Sequence, residues 1–228
     1  MGIQHEINDG IGHIQLDRPE KANAYDRAHL LALRAAFSAV TRSSSVVIIS
    51  STSPRVFCAG ADLDEMKTAT PDDARNLLSQ AVFTEIARAE VVTIAVVDGP
   101  AVAGGFELAL AADLRVIGPG ARFRLPEVSL GIIPAAGGST RLTSLLGPAI
   151  AKQVILGGVE ISADEAIRWG LGRAGGANPA EVAWSWAEQL KACSPEARRS
   201  AKRIIDTVAE DASLLAERHA QAKLYGQR

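Results

Sequence analysis

Gly99-Pro100-Ala101-Val102-Ala103-Gly104-Gly105-Phe106-Glu107-Leu108 is the stretch on which the reading of this chain turns. Upstream, Val91–Val97 is rich in β-branched residues and strand-sized, and Asp98-Gly99-Pro100 ends it with turn chemistry. Downstream, Phe106 to Ala112 reads as a short apolar helix. The Gly104-Gly105 pair lets the chain leave a strand sharply and open that helix. A helix N-terminus carries free N–H groups and favours negative charge. From Gly99 to Ala112 the only charged residue is Glu107. A lone carboxylate in an apolar span is costly to bury. It is either structural, paired with a buried arginine such as Arg115 or Arg141, or an acid/base group tuned for work near neutrality.

Two further segments carry the same small-residue chemistry. Cys58-Ala59-Gly60-Ala61-Asp62 ends a short apolar stretch in a turn whose side chains let backbone approach a ligand closely. One amide from this turn and one from the Gly104-Gly105 turn could together form an oxyanion hole, although a plain tight turn explains each in isolation. Glu127 follows Pro126, which fixes the chain just before it, and by itself reads as an exposed loop glutamate. Pro134 to Arg141 makes another small-residue loop leading into a helix.

Working outward, Ile3, His5 and Ile7 alternate with polar residues, Asn8-Asp9-Gly10 is a turn, and Ile14 and Leu16 continue the alternation with Ile11 out of phase. This predicts a hairpin. Asp26 is an N-cap candidate before Leu30, Leu33, Phe37 and Val40, which share one helical face. Val46–Ile49 reads as a buried strand, Pro71 to Ala89 as a helix, and Leu114–Ile117 and Ala121–Leu125 as short strands. Thr140–Leu146, Pro148–Leu156, Ser162–Trp169 and Pro179–Cys193 are helical, and Ser194-Pro195 starts a last helix with Ser as cap and Pro at its first position. Strands thus alternate with helices and give way to a helical tail.

The composition narrows the function. With 24 Lys+Arg, 26 Asp+Glu and a net charge of −2, the chain lacks the basic balance of a nucleic-acid binder, and 4% aromatics leave few bases to stack on. No apolar run approaches membrane-span length. The N-terminus has no basic region followed by an apolar one, so no signal peptide is expected and a cytoplasmic location is the default. Cys58 and Cys193 give no disulfide framework or metal-ligand spacing, and no metal is expected. His5, His13, His29 and His219 sit in strand or helix patterns as surface or structural residues. Gly170-Leu171-Gly172-Arg173-Ala174-Gly175 matches a dinucleotide fingerprint but follows a helix rather than a strand, so Gly170 reads as a helix C-cap.

Taken in order, four segments resemble the crotonase superfamily, the enoyl-CoA hydratase/isomerase family. They are Leu16-Asp17-Arg18-Pro19-Glu20-Lys21-Ala22-Asn23-Ala24, Phe57 to Leu63, Gly99 to Leu108, and Pro126-Glu127-Val128-Ser129-Leu130-Gly131-Ile132-Ile133-Pro134. Ser194-Pro195 with Lys202 resembles the family's later helix. The resemblance implies an α/β fold, a ββα spiral over residues 1–190 followed by a helical region, 191–228, that serves trimerisation. It puts oxyanion-hole amides on Ala61 and Gly104 and matches both hydratase glutamates, Glu107 and Glu127. It places acyl-CoA contacts on Lys21 and Ala22 and on Ala59, Gly60, Asp62, Leu63 and Asp64. The implied activity is addition of water across a 2-enoyl thioester, with coenzyme A as part of the substrate, no separate cofactor, and assembly as a homotrimer or dimer of trimers. An isomerase, hydrolase or decarboxylase acting on a CoA or acyl-carrier-protein thioester is the alternative. A catalytically silent scaffold of this fold is another. Ala103 and Ala135 stand where the family often has glycine, Arg173 to Asn178 is polar and glycine-rich where it often has an apolar strand, and Arg228 falls short of the usual length.

Overall fold

The computed structural model describes residues 2–67 and 70–206, together with 218, 219 and 222. The rest of the expected 191–228 helical region lies outside the described residues. β1 (Ile3–Asn8) and β2 (Ile11–Leu16) pair antiparallel about Asp9-Gly10, both at positive φ. A two-residue hairpin needs that backbone, and Asp-Gly supplies it at low steric cost. α1 (Arg27–Thr41) is capped as its spacing requires. The Asp26 carboxylate accepts from the His29 amide at 3.0 Å, and Leu30, Leu33, Phe37 and Val40 are buried. Losing such a cap typically costs about 1 kcal/mol.

β3 (Val46–Ser51) is followed by α2 (Leu63–Met66), α3 (Pro71–Arg75) and α4 (Leu78–Ala87). The single helix expected over 71–89 is therefore two. A Thr70/Asp73 capping box starts α3, then Asn76 and Leu77 leave helical geometry. Asn competes for nearby backbone groups and is a natural helix end, here donating from Nδ2 to the Asp72 carbonyl at 3.2 Å. The restart lets α4 bury Val82, Phe83 and Ile86.

β4 (Val92–Val97), β5 (Pro100–Val102), α5 (Gly104–Ala111), β6 (Leu114–Ile117) and β7 (Arg122–Arg124) come next. α6 (Gly138–Ile155) bends at Gly147, φ 78°, just before Pro148, so the two expected helices meet at a kink. β8 (Ile161–Ser162), α7 (Ala163–Arg168), β9 (Arg173–Ala174), α8 (Pro179–Lys191) and α9 (Pro195–Asp206) follow.

The large sheet has the order β1-β2-β3-β4-β6-β9, parallel except for the first pair, and the small sheet has the order β5-β7-β8. Cys58 joins the small sheet's edge through a parallel bridge to Ala101. Strands of the large sheet are added in one direction, whereas a doubly wound sheet would reverse. A strand in the large sheet, a strand in the small one and a helix recur as β4–β5–α5 and β6–β7–α6. This is the ββα spiral. β9, though polar, pairs Arg173 with Val116 and Ala174 with Ile117.

Parallel strands need both faces covered. Ile14, Val47, Ile49, Ala95 and Val97 pack with α1, α4 and α5 in one core. Ile11, Val46, Ile48, Ile94, Val96 and Val116 pack against Ala183 and Ala187 of α8 in a second. Ile11 is out of phase because it serves this second face, and the two alanines let α8 lie close to the sheet.

Candidate active site

The two small-residue turns touch. Gly60 has φ +93°, and a Cβ there would lie 3.0 Å from both the Ala103 Cβ and the Gly104 nitrogen. A Cβ on Gly105 would fall 2.0 Å from the Cys58 carbonyl oxygen. Glycine at both positions is what lets the turns close on each other. Tyr25 ties the first turn down: its amide donates to the Gly60 carbonyl, and its carbonyl accepts from the Asp62 amide, both at 2.8 Å. Ala103 donates to the Arg124 carbonyl at 2.8 Å, bringing the end of β7 beside the second turn. The amides of Ala61 and Gly104 donate to no other group among the described residues.

Glu107, on the first turn of α5, is buried. Its Oε1 accepts from the Ala136 amide at 2.7 Å and the Gly138 amide at 2.8 Å. A Cβ on Gly138 would come within 2.9 Å of that oxygen, so the small-residue loop at Pro134 to Gly138 is a cradle for the carboxylate. Arg115 is not its partner: that guanidinium donates to the carbonyls of Ala109, Ala112, Asp113 and Leu171.

Glu127 opens a short 3-10 turn, Glu127–Leu130, and is 5% exposed, so it is not the exposed loop residue its local sequence suggests. Leu125 and Ile132, both buried, hold the segment inward. Its Oε2 is buried without a hydrogen-bond partner among the described residues. Desolvation pushes its pKa from 4.5 up to about 7. Glu107 and Glu127 both lie close enough to the Tyr25 hydroxyl to raise its pKa, together with burial, the largest cause. The structure therefore brings the two carboxylates and both turns to one place. Tyr25 is the residue the motif reading passed over.

The Lys21-Ala22 segment meets the first turn directly, with the Ala59 amide donating to the Ala22 carbonyl at 3.0 Å. Ala22 and Asn23 take positive φ, and Asn23 is buried, its Nδ2 donating to Ser51 Oγ and the Phe57 carbonyl. Lys21 and Asp64 are exposed, and Leu63 begins α2. Asp62 is already engaged: it faces Arg18 at 3.4 Å and accepts from the Asp64 amide at 3.0 Å. The Cys58 thiol, pushed up to about 12 by burial, is no nucleophile. Among the described residues no His/Cys/Asp/Glu group could hold a metal ion, and no helix is long and apolar enough to cross a membrane.

Ala103 occupies φ 52°, ψ −127°, a conformation that favours glycine. Such strain costs about 1–3 kcal/mol, against about 0.4–1 kcal/mol for the added freedom of an unfolded glycine. Ala103→Gly should therefore stabilise the protein by about 1 kcal/mol, visible as a higher thermal midpoint. An unchanged or lower midpoint would show that the turn carries no such strain.

A family model described as enoyl-CoA hydratase/isomerase matches residues 6–228. The chain belongs to the enoyl-CoA hydratase/isomerase family. It is 41% identical over 207 residues to the probable mitochondrial enoyl-CoA hydratase 2 of Arabidopsis thaliana, covering 87% of this chain and 68% of that one. It is 38% identical over 162 residues to the short-chain-enoyl-CoA hydratase of Clostridium acetobutylicum, covering 69% and 62%. The chain thus spans about two thirds of the length of these curated relatives. Among solved structures it resembles the enoyl-CoA hydratase of Bacillus anthracis, with a TM-score of 0.85, 30% identity, and 99% of this chain and 90% of that one covered. Family membership and the ββα spiral agree with the resemblance seen in the motifs.

Proposed function

We propose that this protein is an enoyl-thioester hydratase acting on an acyl-CoA, with its chemistry at Glu107, Glu127 and the amides of Ala61 and Gly104. The observation that carries this reading is Glu127: a buried carboxylate with an unpartnered oxygen and a pKa near 7, beside a second buried carboxylate. A group titrating near neutrality can carry a proton and also give it up. The hydratase names of relatives at about 40% identity point the same way.

The thioester oxygen accepts from the two free amides. Water attacks Cβ and loses a proton to Glu107, whose carboxylate is anchored by two backbone donors. The π electrons move toward the thioester, and the developing enolate oxygen is stabilised by the amides. Glu127 delivers its proton to Cα, and exchange with solvent restores both carboxyls. The Lys21-Ala22 segment and the chain from Ala59 to Asp64 hold the CoA portion. Assembly as a homotrimer or dimer of trimers belongs to the same reading. Ile204 and Ile205 on α9, 67% and 71% exposed, offer apolar surface to a further copy.

Incubation with crotonyl-CoA should give loss of the enoyl absorbance and a 3-hydroxybutyryl-CoA product. A shifted double bond instead would favour the isomerase, free CoA the hydrolase. No turnover of any enoyl-CoA would favour the silent scaffold.

A further inference from the structure

We infer that Tyr25 is a specificity-determining residue that closes the acyl end of the site and confines it to short acyl chains. The inference rests on the reading above. Tyr25 stands just before the Asp26 cap of α1, on backbone bridged to Ala61. Its side chain crosses to the other turn: a Cβ on Gly104 would lie 1.8 Å from the Tyr25 hydroxyl oxygen and 2.7 Å from Cζ. The side chain thus fills the space over the residue whose amide would hold the thioester oxygen.

A substrate whose carbonyl oxygen sits on the Ala61 and Gly104 amides must lay Cα and Cβ between those amides and the two carboxylates. Tyr25 borders that volume, since it touches Gly104 and feels the charge of both Glu107 and Glu127. On its α4 side the way is blocked by aromatic packing. The Tyr25 and Phe83 rings meet edge to face, 5.8 Å between centroids at 90°, and the Ser79 hydroxyl of the same helix faces the phenol. Phe83 is fully buried and cannot readily swing aside. An acyl chain that continues past Cβ toward α4 therefore meets a ring backed by the core. Burial and the neighbouring carboxylates also keep the phenol protonated, so it adds bulk and a donor but no charge.

The test compares wild type, Tyr25→Ala, Tyr25→Leu and Tyr25→Phe. Turnover is measured with crotonyl-CoA and trans-2-decenoyl-CoA, and affinity with butanoyl-CoA and decanoyl-CoA by calorimetry. The readout is the ratio of the long to the short chain, because a general structural defect lowers both members alike. In Tyr25→Ala the ratio of kcat/KM should rise at least tenfold, mainly through KM. Tyr25→Leu, which keeps more of the core contact, should move it the same way, and Tyr25→Phe should hold the wild-type ratio. An unchanged ratio in the alanine and leucine variants, with crotonyl-CoA still hydrated, overturns the role of Tyr25 and leaves the hydratase reading standing. A shifted affinity ratio without hydration by the wild type does the reverse. If Tyr25→Ala does not fold, the leucine variant decides.

Discussion

Glu127→Gln should lower turnover of a 2-enoyl-CoA by about 10²–10⁴-fold under the proposed mechanism, the usual contribution of a general acid–base group, with little change in KM. Gln keeps the size and the hydrogen-bonding capacity of the side chain but cannot exchange a proton. The loss falls on kcat because the proton moves only in the transition state. The same substitution has a signed effect on stability. Folded, Glu127 keeps its proton up to about pH 7, whereas the unfolded chain releases it near 4.5. Between those values the native state holds the extra proton, so the carboxyl's contribution to stability is complete below that window and is lost as pH rises through it. At pH 8 the wild type carries a buried charge that Gln does not. The variant should then be the more stable by up to about 3 kcal/mol, with the difference shrinking toward pH 5. Urea unfolding at the two pH values, beside steady-state turnover, checks both halves. Wild-type turnover would remove Glu127 from the chemistry. A variant less stable at pH 8 would mean that the carboxylate is held by partners and serves the fold.

Gly105→Ala produces the other large effect, through the backbone. The added Cβ would lie 2.0 Å from the Cys58 carbonyl oxygen and 2.6 Å from its carbon. Both belong to main chain that also accepts from the Val102 amide at 2.9 Å, so no flexible side-chain end can yield. Overpacking of this kind typically costs about 1–3 kcal/mol, and the rigid neighbour puts this case at the upper end. Separating the two turns also pulls the Ala61 and Gly104 amides apart. Loss of one oxyanion-hole donor typically costs about 10²–10³-fold in kcat. A lower thermal midpoint with turnover reduced by that factor is expected. A variant that melts early yet turns over normally would show that the meeting of the turns serves packing alone.

Local chemistry made much of this fold legible. Asp9-Gly10 specifies the hairpin, Asp26 the start of α1, and the Gly104-Gly105 pair the start of α5. Legibility failed where burial is decided far away in sequence. Ile11 broke the strand alternation because α8, from the far end of the described chain, covers the second face of the sheet. Glu127 read as an exposed residue because nothing near it shows that Leu125 and Ile132 draw it inward. The break at Asn76-Leu77 was hidden inside a stretch with enough apolar residues for one helix. Glu107 was legible in itself, as a lone charge in an apolar span, but its cradle at Ala136 and Gly138 was not. Tyr25 was invisible for the same reason: a tyrosine ahead of a helix cap says nothing about a glycine on another turn of the spiral.

Lys202 is the only buried residue of α9. Its ammonium reaches the Asp113 carboxylate and the Ala87 carbonyl, and Asp113 also accepts from the Thr93 amide and hydroxyl. α9 is thus moored by the Lys202 ammonium inside a polar nest and by the Arg198 guanidinium donating to the Leu190 carbonyl of α8, with almost no oily surface of its own to hold it there. Cooperativity should follow that division. The twin-faced sheet and its helices up to Lys191 melt as one body, whereas α9 can lift away as a separate foldon without opening either core. Its grip weakens with whatever weakens the Lys202–Asp113 ion pair, as added salt does.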